Sequence, residues 1–259
     1  MRIPIYQVDA FTDRVFGGNP AAVCPLEMWL SDAVLQSIAA ENNLAETAFF
    51  IRRGTGFDLR WFTPTVEVDL CGHATLASAH VLFECQAFDL PAILFNTKSG
   101  ELRVSRKGNL LALDFPARPP AETNAPAALL EGLGGNPEAI LASRDYMVVY
   151  RTEQEIRGLQ PDFEKLKALD RFAVIATAPG SDCDFVSRFF APAQGIPEDP
   201  VTGSAHCTLV PYWAQRLGKT KLHARQISQR GGELFCELKG DRVEIAGHAA
   251  LYMQGSIEV

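Results

Sequence analysis

The sequence has little of what marks secreted, membrane or nucleic-acid-binding proteins. Its six cysteines contain no C-x-x-C pair in a chain of 259 residues, so we expect neither a disulfide framework nor a cysteine-rich zinc site. No run approaches the roughly 18 apolar residues of a membrane-spanning helix. The 24 Lys and Arg against 31 Asp and Glu form no long run of one charge, which argues against a nucleic-acid partner.

The N-terminal segment also lacks the features of a targeting sequence. Residues Met1 to Asp9 alternate like a strand and contain neither the apolar stretch nor the cleavage site of a signal peptide. Widely spaced cysteines are most simply interpreted as reduced thiols. We therefore expect a cytoplasmic protein that is neither exported nor anchored to a membrane.

Nucleotide and metal motifs are missing as well. No G-x-G-x-x-G opens a helix, and Gly17-Gly18-Asn19-Pro20 lacks the later Gly-Lys-Ser/Thr of a phosphate loop. His73 and His80 are about two helical turns apart, too far for one metal without a further ligand, and no H-E-x-x-H occurs. We therefore expect no nucleotide cofactor and no metal.

What the sequence does contain is an internal repeat. An aromatic-x-Pro segment followed by Gly-x-Ala occurs at Phe62 and Gly72 and again at Phe190 and Gly203, an offset of 131 residues between the glycines. A Gly-Glu-Leu motif that is separated by four residues from a Lys-Gly pair begins at positions 100 and 232, an offset of 132. Two motifs in one order and nearly one register indicate two similar halves.

The predicted fold is α+β, with two pseudo-symmetric domains that each wrap an antiparallel, barrel-like sheet around one central helix. Helical spacing predicts the central helices from Gly72 to Glu84 and from Gly203 to Leu217. A Pro/Ala-rich stretch from Ala117 to Ala128 indicates a linker. The expected domains are residues 1–117 and 118–259, and the last strand could pack with the first domain.

An earlier helix is expected between the first strands. Ser31 is a suitable N-cap, and the helix should end near Asn42 and Asn43. Glu46 then begins a new strand.

The two central helix starts are candidate anion sites. Backbone N–H groups in the first turn of a helix have no partner within it, and the helix dipole attracts a carboxylate or phosphate there. Gly72 and Gly203 would let a ligand approach closely. Pseudo-twofold packing would turn both starts toward one interdomain cleft. The alternative is that these glycines only permit tight helix packing.

Glu46 is the most informative carboxylate. It lies in the apolar run Asn43 to Phe50, where a charged side chain is costly unless it is paired. A carboxyl group held partly dry is suited to carry a proton. The alternative is that Glu46 merely points outward at a strand edge.

Two further polar residues lie near the helix starts. His73 is in the first turn of its helix, although a lone histidine is more often structural than catalytic. Asp199 lies between Pro197 and Pro200, where carboxylates are usually turn residues, but its loop corresponds to the one that leads into Gly72. This correspondence places Asp199 beside the proposed cleft.

Six groups of residues resemble the phenazine-biosynthesis (PhzF-like) isomerase family. The resemblance spans nearly the whole chain. The matching segments are Asp9-Ala-Phe-Thr with Gly18-Asn-Pro20, Asn43-Leu-Ala-Glu-Thr47, Arg60-Trp-Phe-Thr-Pro64, Cys71-Gly-His-Ala-Thr75, Leu113-Asp-Phe-Pro116 and Glu198-Asp-Pro-Val-Thr-Gly-Ser-Ala-His206.

The resemblance implies a diaminopimelate-epimerase-like fold, no metal or organic cofactor, and a homodimer. It also implies a proton-carrying role for Glu46. In the best-understood member of the family, the matching glutamate acts on a dihydro-hydroxyanthranilate. The candidate catalytic residues are Glu46, His73 and Asp199. The candidate residues for binding a small carboxylated substrate are Gly72, Ala74, Gly203, Ser204 and Asn19.

One departure concerns the related racemases that use two opposed cysteines. Cys71 stands at the first helix start, but the repeat maps it to Thr202, so the second thiol is missing. A one-base mechanism through Glu46 is therefore favoured. A thiol-dependent racemase or epimerase using Cys71, and a binding protein without turnover, stay as alternatives.

Overall fold

A computed structural model describes all 259 residues. The α-helices are α1 (Asp32–Asn42), α2 (Gly72–His80), α3 (Ala127–Leu133), α4 (Glu153–Gly158), α5 (Phe163–Lys167) and α6 (Gly203–Leu217). The strands are β1 (Arg2–Ala10), β2 (Asn19–Leu26), β3 (Glu46–Arg53), β4 (Gly56–Phe62), β5 (Glu67–Val68), β6 (Ala92–Thr97), β7 (Gly100–Lys107), β8 (Leu110–Pro116), β9 (Ala121–Glu122), β10 (Ala139–Ala142), β11 (Tyr146–Val149), β12 (Val174–Pro179), β13 (Phe185–Ala191), β14 (Ile196–Asp199), β15 (Lys221–Gln226), β16 (Gly232–Lys239), β17 (Arg242–Gly247) and β18 (Ala249–Glu258). None of the helices combines the length and the hydropathy that a membrane crossing requires.

The chain forms two compact units. Unit 1 comprises Met1–Asp114 and Ala246–Val259, and unit 2 comprises Phe115–Ile245. The C-terminal strand β18 belongs to unit 1 because it pairs antiparallel with β1, from Arg2 opposite Glu258 to Ala10 opposite Ala249.

The two units repeat one order of elements. In unit 1 the hairpin β1–β2 is followed by α1 and the hairpin β3–β4, and then by α2 and the hairpin β6–β7. In unit 2 the hairpin β10–β11 is followed by α4 and α5 and the hairpin β12–β13, and then by α6 and the hairpin β15–β16. The predicted α+β class is confirmed.

The strand directions differ from the prediction of antiparallel sheets. Four pairs are parallel: β2 with β3, β4 with β6, β11 with β12, and β13 with β15. Each parallel pair is joined through helical chain, since a strand can return in the same direction only by a crossover. Alternating apolar residues show which strand face is buried but not which way the neighbouring strand runs, and the sequence therefore missed this feature.

The central helices are buried over most of their length. In α2 every residue from His73 to Ala79 is buried, and the helix packs on β1, β2 and β3. Small residues allow the strands to approach it closely. The helix predicted to reach Glu84 instead ends as α-helix at His80 and continues as one π-helical turn, Val81–Cys85.

A proline inside α6 has a compensating contact. Pro211 has no N–H to donate to the carbonyl of Cys207, four residues earlier. That carbonyl accepts a hydrogen bond from the backbone N–H of Arg118 at 2.8 Å instead. The linker segment is thereby tied to the central helix of unit 2.

The expected ends of α1 agree with the structure, but one of the expected capping contacts does not form. Asn43 adopts the left-handed conformation at the C-terminus, with φ of 48°. Ser31 occupies the N-cap position, yet its side chain makes no capping hydrogen bond. The start of α1 is held by the Ser31 carbonyl, which accepts from Val34 and Leu35.

Candidate active site

Four side chains of unit 1 form what we call the unit 1 cluster: Asn19, Glu46, Cys71 and His73. All four residues are buried. Asn19 begins β2 and Glu46 begins the neighbouring strand β3, while Cys71 is the N-cap of α2 and His73 lies in its first turn. The parallel pairing of β2 with β3 therefore brings residues from three elements to the start of one helix.

A glycine fixes the approach of the chain to this cluster. Gly18 has a φ of 59°, and a Cβ atom there would lie 2.1 Å from the carbonyl oxygen of Ala10. Only glycine fits both conditions. Asn19 follows directly and pairs with Ala10 in the β1–β2 hairpin, which directs the cluster's amide side chain.

The His73 ring contacts the other three side chains. Its Nε2 lies 3.0 Å from Glu46 Oε2, and its Nδ1 lies 3.2 Å from Asn19 Nδ2 and 3.5 Å from Cys71 Sγ. An amide can donate or accept depending on which end faces the ring, so Asn19 suits either protonation state of His73.

The ion pair is short but poorly aligned. Glu46 Oε2 accepts no hydrogen bond of good geometry although it is buried, and 12% of the Glu46 side chain is exposed. A buried carboxylate oxygen without a full set of hydrogen bonds is costly to hold. Such an oxygen can accept a further hydrogen bond.

Electrostatics set the protonation states of His73 and Cys71. Burial disfavours the imidazolium, but a hydrogen bond to the Cys71 sulfur and the charge of the adjacent Glu46 carboxylate outweigh it and raise the pKa of His73 well above its usual value. Burial and, to a lesser degree, the Glu46 charge raise the pKa of Cys71 to about 11. Cys71 is therefore a neutral thiol at neutral pH, although a helix start favours a thiolate.

The cluster also contains ligand atoms suited to a metal ion. One atom each of Glu46, Cys71 and His73 lie within 4.8 Å of one another, and carboxylate, thiolate and imidazole are all zinc ligands. The spacing of His73 and His80 gives no sign of this group, because its members come from separate elements. A metal would have to displace the Cys71 proton.

In unit 2 the corresponding helix start holds Asp199 in a hydrogen-bond network. Asp199 is the last residue of β14 and is buried. Thr202, the N-cap of α6, donates its hydroxyl to Asp199 Oδ2 at 2.5 Å instead of capping the helix. Gln226 accepts from the Thr202 N–H at 2.8 Å and donates to the Asp199 carbonyl at 2.7 Å. The α6 start consequently has no side-chain cap.

Ser204 is the second residue of α6, as His73 is of α2. Its Oγ accepts a hydrogen bond from Arg144 Nη2 at 3.3 Å. Arg144 was not predicted from the sequence, because the contact joins residues 60 positions apart and belongs to no motif. His206, by contrast, is fully buried, and burial lowers its pKa to about 4. Its Nδ1 is bound to the Thr202 carbonyl at 2.9 Å, a structural arrangement.

The sheet registers identify the counterpart of Glu46 in unit 2. Thr47 pairs with Phe62 in β3–β4, and Val174 pairs with Phe190 in β12–β13. Since Phe62 and Phe190 open the repeated aromatic-x-Pro segments, the residue before Val174 corresponds to Glu46, and that residue is Ala173. Unit 2 therefore lacks both the glutamate and the thiol of unit 1.

The predicted residues thus fall into two sets, each within one unit. Unit 1 holds Asn19, Glu46, Gly72, His73 and Ala74, and unit 2 holds Asp199, Gly203 and Ser204. That the two sets serve one ligand stays a prediction.

The chain is similar to several known proteins over its whole length. The model of a family described as phenazine biosynthesis-like protein matches residues 8–255. An uncharacterized isomerase of Pseudomonas aeruginosa is 54% identical over 259 residues that span all of both chains. A crystal structure of a phenazine biosynthesis protein of the PhzF family from Enterococcus faecalis is 48% identical, with a TM-score of 0.98 and full coverage of both chains.

A more distant neighbour bears on the fold alone. A hydroxyproline epimerase from Agrobacterium vitis is 10% identical, with a TM-score of 0.62 over 99% of this chain and 92% of that one. The predicted epimerase-like fold is confirmed.

Proposed function

Because this chain belongs to the phenazine biosynthesis-like protein family, we propose that it is an isomerase that moves a proton on a small carboxylated substrate through Glu46. The observation that carries the proposal is the buried Glu46 carboxylate, whose Oε2 lies 3.0 Å from His73 and accepts no well-aligned hydrogen bond. A related chain named as an isomerase is 54% identical over the full length.

The proposed step is a proton transfer that balances within the substrate. Glu46 Oε2 removes a proton from one carbon and becomes a neutral carboxyl group, and the electron pair left behind shifts along the substrate. The same carboxyl group then returns the proton to a different carbon. His73, held by Asn19, would stabilise the ionised carboxylate before the transfer and the substrate's polar groups during it.

The residues of unit 2 would bind and not transfer protons. Asp199, fixed by Thr202 and Gln226, is an acceptor for a hydroxyl or amino group. Ser204 and Gly203 would receive the substrate's carboxylate at the uncapped α6 start. In unit 1, Gly72 and Ala74 would contribute first-turn N–H groups in the same way. We also propose a homodimer, which light scattering tests.

A mechanism with two thiols is less well supported. The counterpart of Cys71 is Thr202, and the pKa of Cys71 is raised to about 11, so neither helix start offers a thiolate at neutral pH. A binding protein without turnover would not require an acid/base pair, and the retention of Glu46 with His73 at 3.0 Å favours the enzyme.

The test is solvent exchange followed by NMR. Small cyclic and amino-carboxylic acids are incubated with the protein in D2O, and deuterium incorporation at carbon is measured. Wild type should label one carbon of a bound compound, and Glu46→Gln should lose about 10²- to 10⁴-fold of that rate while still binding. Cys71→Ala should retain it.

The matched control is Glu41→Gln, since Glu41 is an exposed glutamate on α1. It should leave exchange unchanged. Undiminished exchange in Glu46→Gln would refute the proposal, and binding without exchange in wild type would favour the binding protein.

A further inference from the structure

Arg144 lies in the turn between β10 and β11, and its guanidinium contacts Ser204 at the start of α6. We propose that Arg144 is the residue of unit 2 that recognises the substrate's carboxylate group, with Ser204 as its neighbour. This inference rests on the proposed function for the existence of a substrate. It adds a residue that determines specificity for carboxylates.

The side edge of the guanidinium is occupied by Asp145. Arg144 Nε and Nη2 donate to the two Asp145 oxygens, each at 3.0 Å, and only 1% of the Asp145 side chain is exposed. A buried carboxylate held by two parallel hydrogen bonds fixes the plane of the guanidinium. The orientation of Arg144 is therefore set before any ligand arrives.

At the end edge of the same guanidinium, formed by Nη1 and the outer side of Nη2, only Nη1 is free. Nη2 reaches Ser204 Oγ at 3.3 Å, and no protein atom accepts from Nη1. The Arg144 side chain is 33% exposed. An arginine offers five N–H donors that suit a carboxylate, and this one retains the two donors of Nη1.

One face of the guanidinium is covered by an aromatic ring. Arg144 lies 4.5 Å from the ring centroid of Phe172, and Phe172 is itself 43% exposed. Stacking of this kind stabilises a cation and excludes water from one side. Nη1 is thus the one nitrogen of this stacked guanidinium without a hydrogen-bond acceptor in the protein.

Arg188 of the same unit shows what a purely structural arginine looks like. Its Nε and Nη2 bind Glu198 at 2.8 and 2.9 Å, and it lies 5.0 Å from the Phe190 ring. Unlike Arg144, it also uses Nη1, which donates to the carbonyls of Ile156 and Leu159. Each arginine has its own two-point salt bridge and its own stacked ring. Only Arg144 leaves Nη1 without an acceptor.

The free Nη1 of Arg144 is positioned for a ligand that binds at the start of α6. Ser204 is a candidate substrate-binding residue, and Arg144 already touches its hydroxyl. Because Asp145 balances the positive charge, we expect recognition through charge-assisted hydrogen bonds more than through long-range attraction. A carboxylate accepts two such bonds where its neutral amide accepts fewer.

The experiment measures binding of acid and amide pairs. The probes are 2-aminobenzoate against 2-aminobenzamide and proline against prolinamide, titrated by NMR into wild type and Glu46→Gln. Wild type should prefer at least one acid over its amide by about 10- to 100-fold, the value of a hydrogen bond to a charged group. The Glu46→Gln variant should show the same preference.

Two variants remove the free Nη1 donors and are chosen so that the protein should still fold. Arg144→Lys retains the charge, and the double variant Arg144→Gln/Asp145→Asn avoids leaving a buried unpaired carboxylate. Both should reduce the preference to within about threefold, and thermal melting confirms that they fold. Arg188→Lys is the matched control and should keep the preference.

Several outcomes would overturn the inference. These are equal binding of acid and amide by wild type, binding of none of the probes, or a preserved preference in the double variant. A preference that depends on Arg144 without any deuterium exchange would instead remove the proposed proton transfer and leave the carboxylate site standing. Deuterium exchange without such a preference would leave the proposed proton transfer standing and remove the carboxylate site.

Discussion

The start of α2 carries Cys71, Gly72 and His73, whereas the start of α6 carries Thr202, Gly203 and Ser204. In unit 1 the second helical residue is a histidine paired with Glu46 at 3.0 Å. In unit 2 it is a serine bound to Arg144, and the position of Glu46 is taken by Ala173. One repeated topology thus presents a titratable pair in one unit and fixed hydrogen-bonding groups in the other.

This difference bears on how a duplicated fold can acquire a single acid/base group. Two equivalent helix starts with a thiol each would suit transfer between opposite faces of a carbon. We propose that Glu46 is the single proton carrier, which suits removal and return of a proton by one group, and that the polar side chains of unit 2 bind the substrate.

The largest expected effect of this contrast concerns the two buried histidines, because folding shifts their pKa values in opposite directions. The pKa of His73 is raised in the folded protein, so its contribution to stability is fully present below about pH 6.5 and is lost as pH rises through the folded pKa. The pKa of His206 is lowered to about 4. Its neutral form is favoured by folding, so stability should fall between about pH 6.5 and 4, on the order of 3 kcal/mol in all.

Urea unfolding between pH 4 and 9 measures both effects. His206→Gln should flatten the loss at low pH and leave the high-pH side unchanged, whereas His73→Gln should flatten the high-pH side alone. Identical pH profiles for the two variants would show that the units do not differ in this way.

A smaller effect separates rate from binding. Asp199 is an acceptor fixed by Thr202, so Asp199→Asn should raise KM about tenfold, the value of one hydrogen bond to a charged group, with a much smaller change in kcat. Glu46→Gln should instead lower kcat. Steady-state kinetics on the substrate found by deuterium exchange gives both constants, with Asp182→Asn as an exposed control. A fall in kcat alone for Asp199→Asn would assign proton transfer to unit 2 as well.

Local sequence signals predicted the elements well where the residues themselves decide the structure. The bounds of α6 agree with the helical pattern from Gly203 to Leu217, and Asn43 ends α1 as expected from its tolerance of the left-handed conformation. The parallel strand pairs were missed because periodicity carries no direction. Whether a strand returns by a crossover depends on packing of the intervening helix.

The sequence suggested candidate residues one by one but not their arrangement. Glu46 and His73 were each proposed as candidates, whereas their contact depends on how β3 lies against α2. Cys71 shows the limit most clearly: the helix dipole favours a thiolate, but burial and the Glu46 charge act more strongly and raise its pKa. Arg144 gave no signal, since the role we propose for it depends on which guanidinium nitrogen Asp145 and Ser204 leave free.

The smallest predicted effect compares two helix N-caps, one in each unit. Thr152 in unit 2 accepts from the Glu155 N–H, and the Glu155 side chain binds the Thr152 N–H in return, whereas Ser31 in unit 1 makes no side-chain cap. Thr152→Ala should therefore lower the free energy of unfolding by about 1 kcal/mol, and Ser31→Ala should change it by less than about 0.5 kcal/mol. Urea unfolding at neutral pH measures both. An equal loss in the two variants would mean that Ser31 does cap α1 in solution, and the contrast between these helix starts would then disappear.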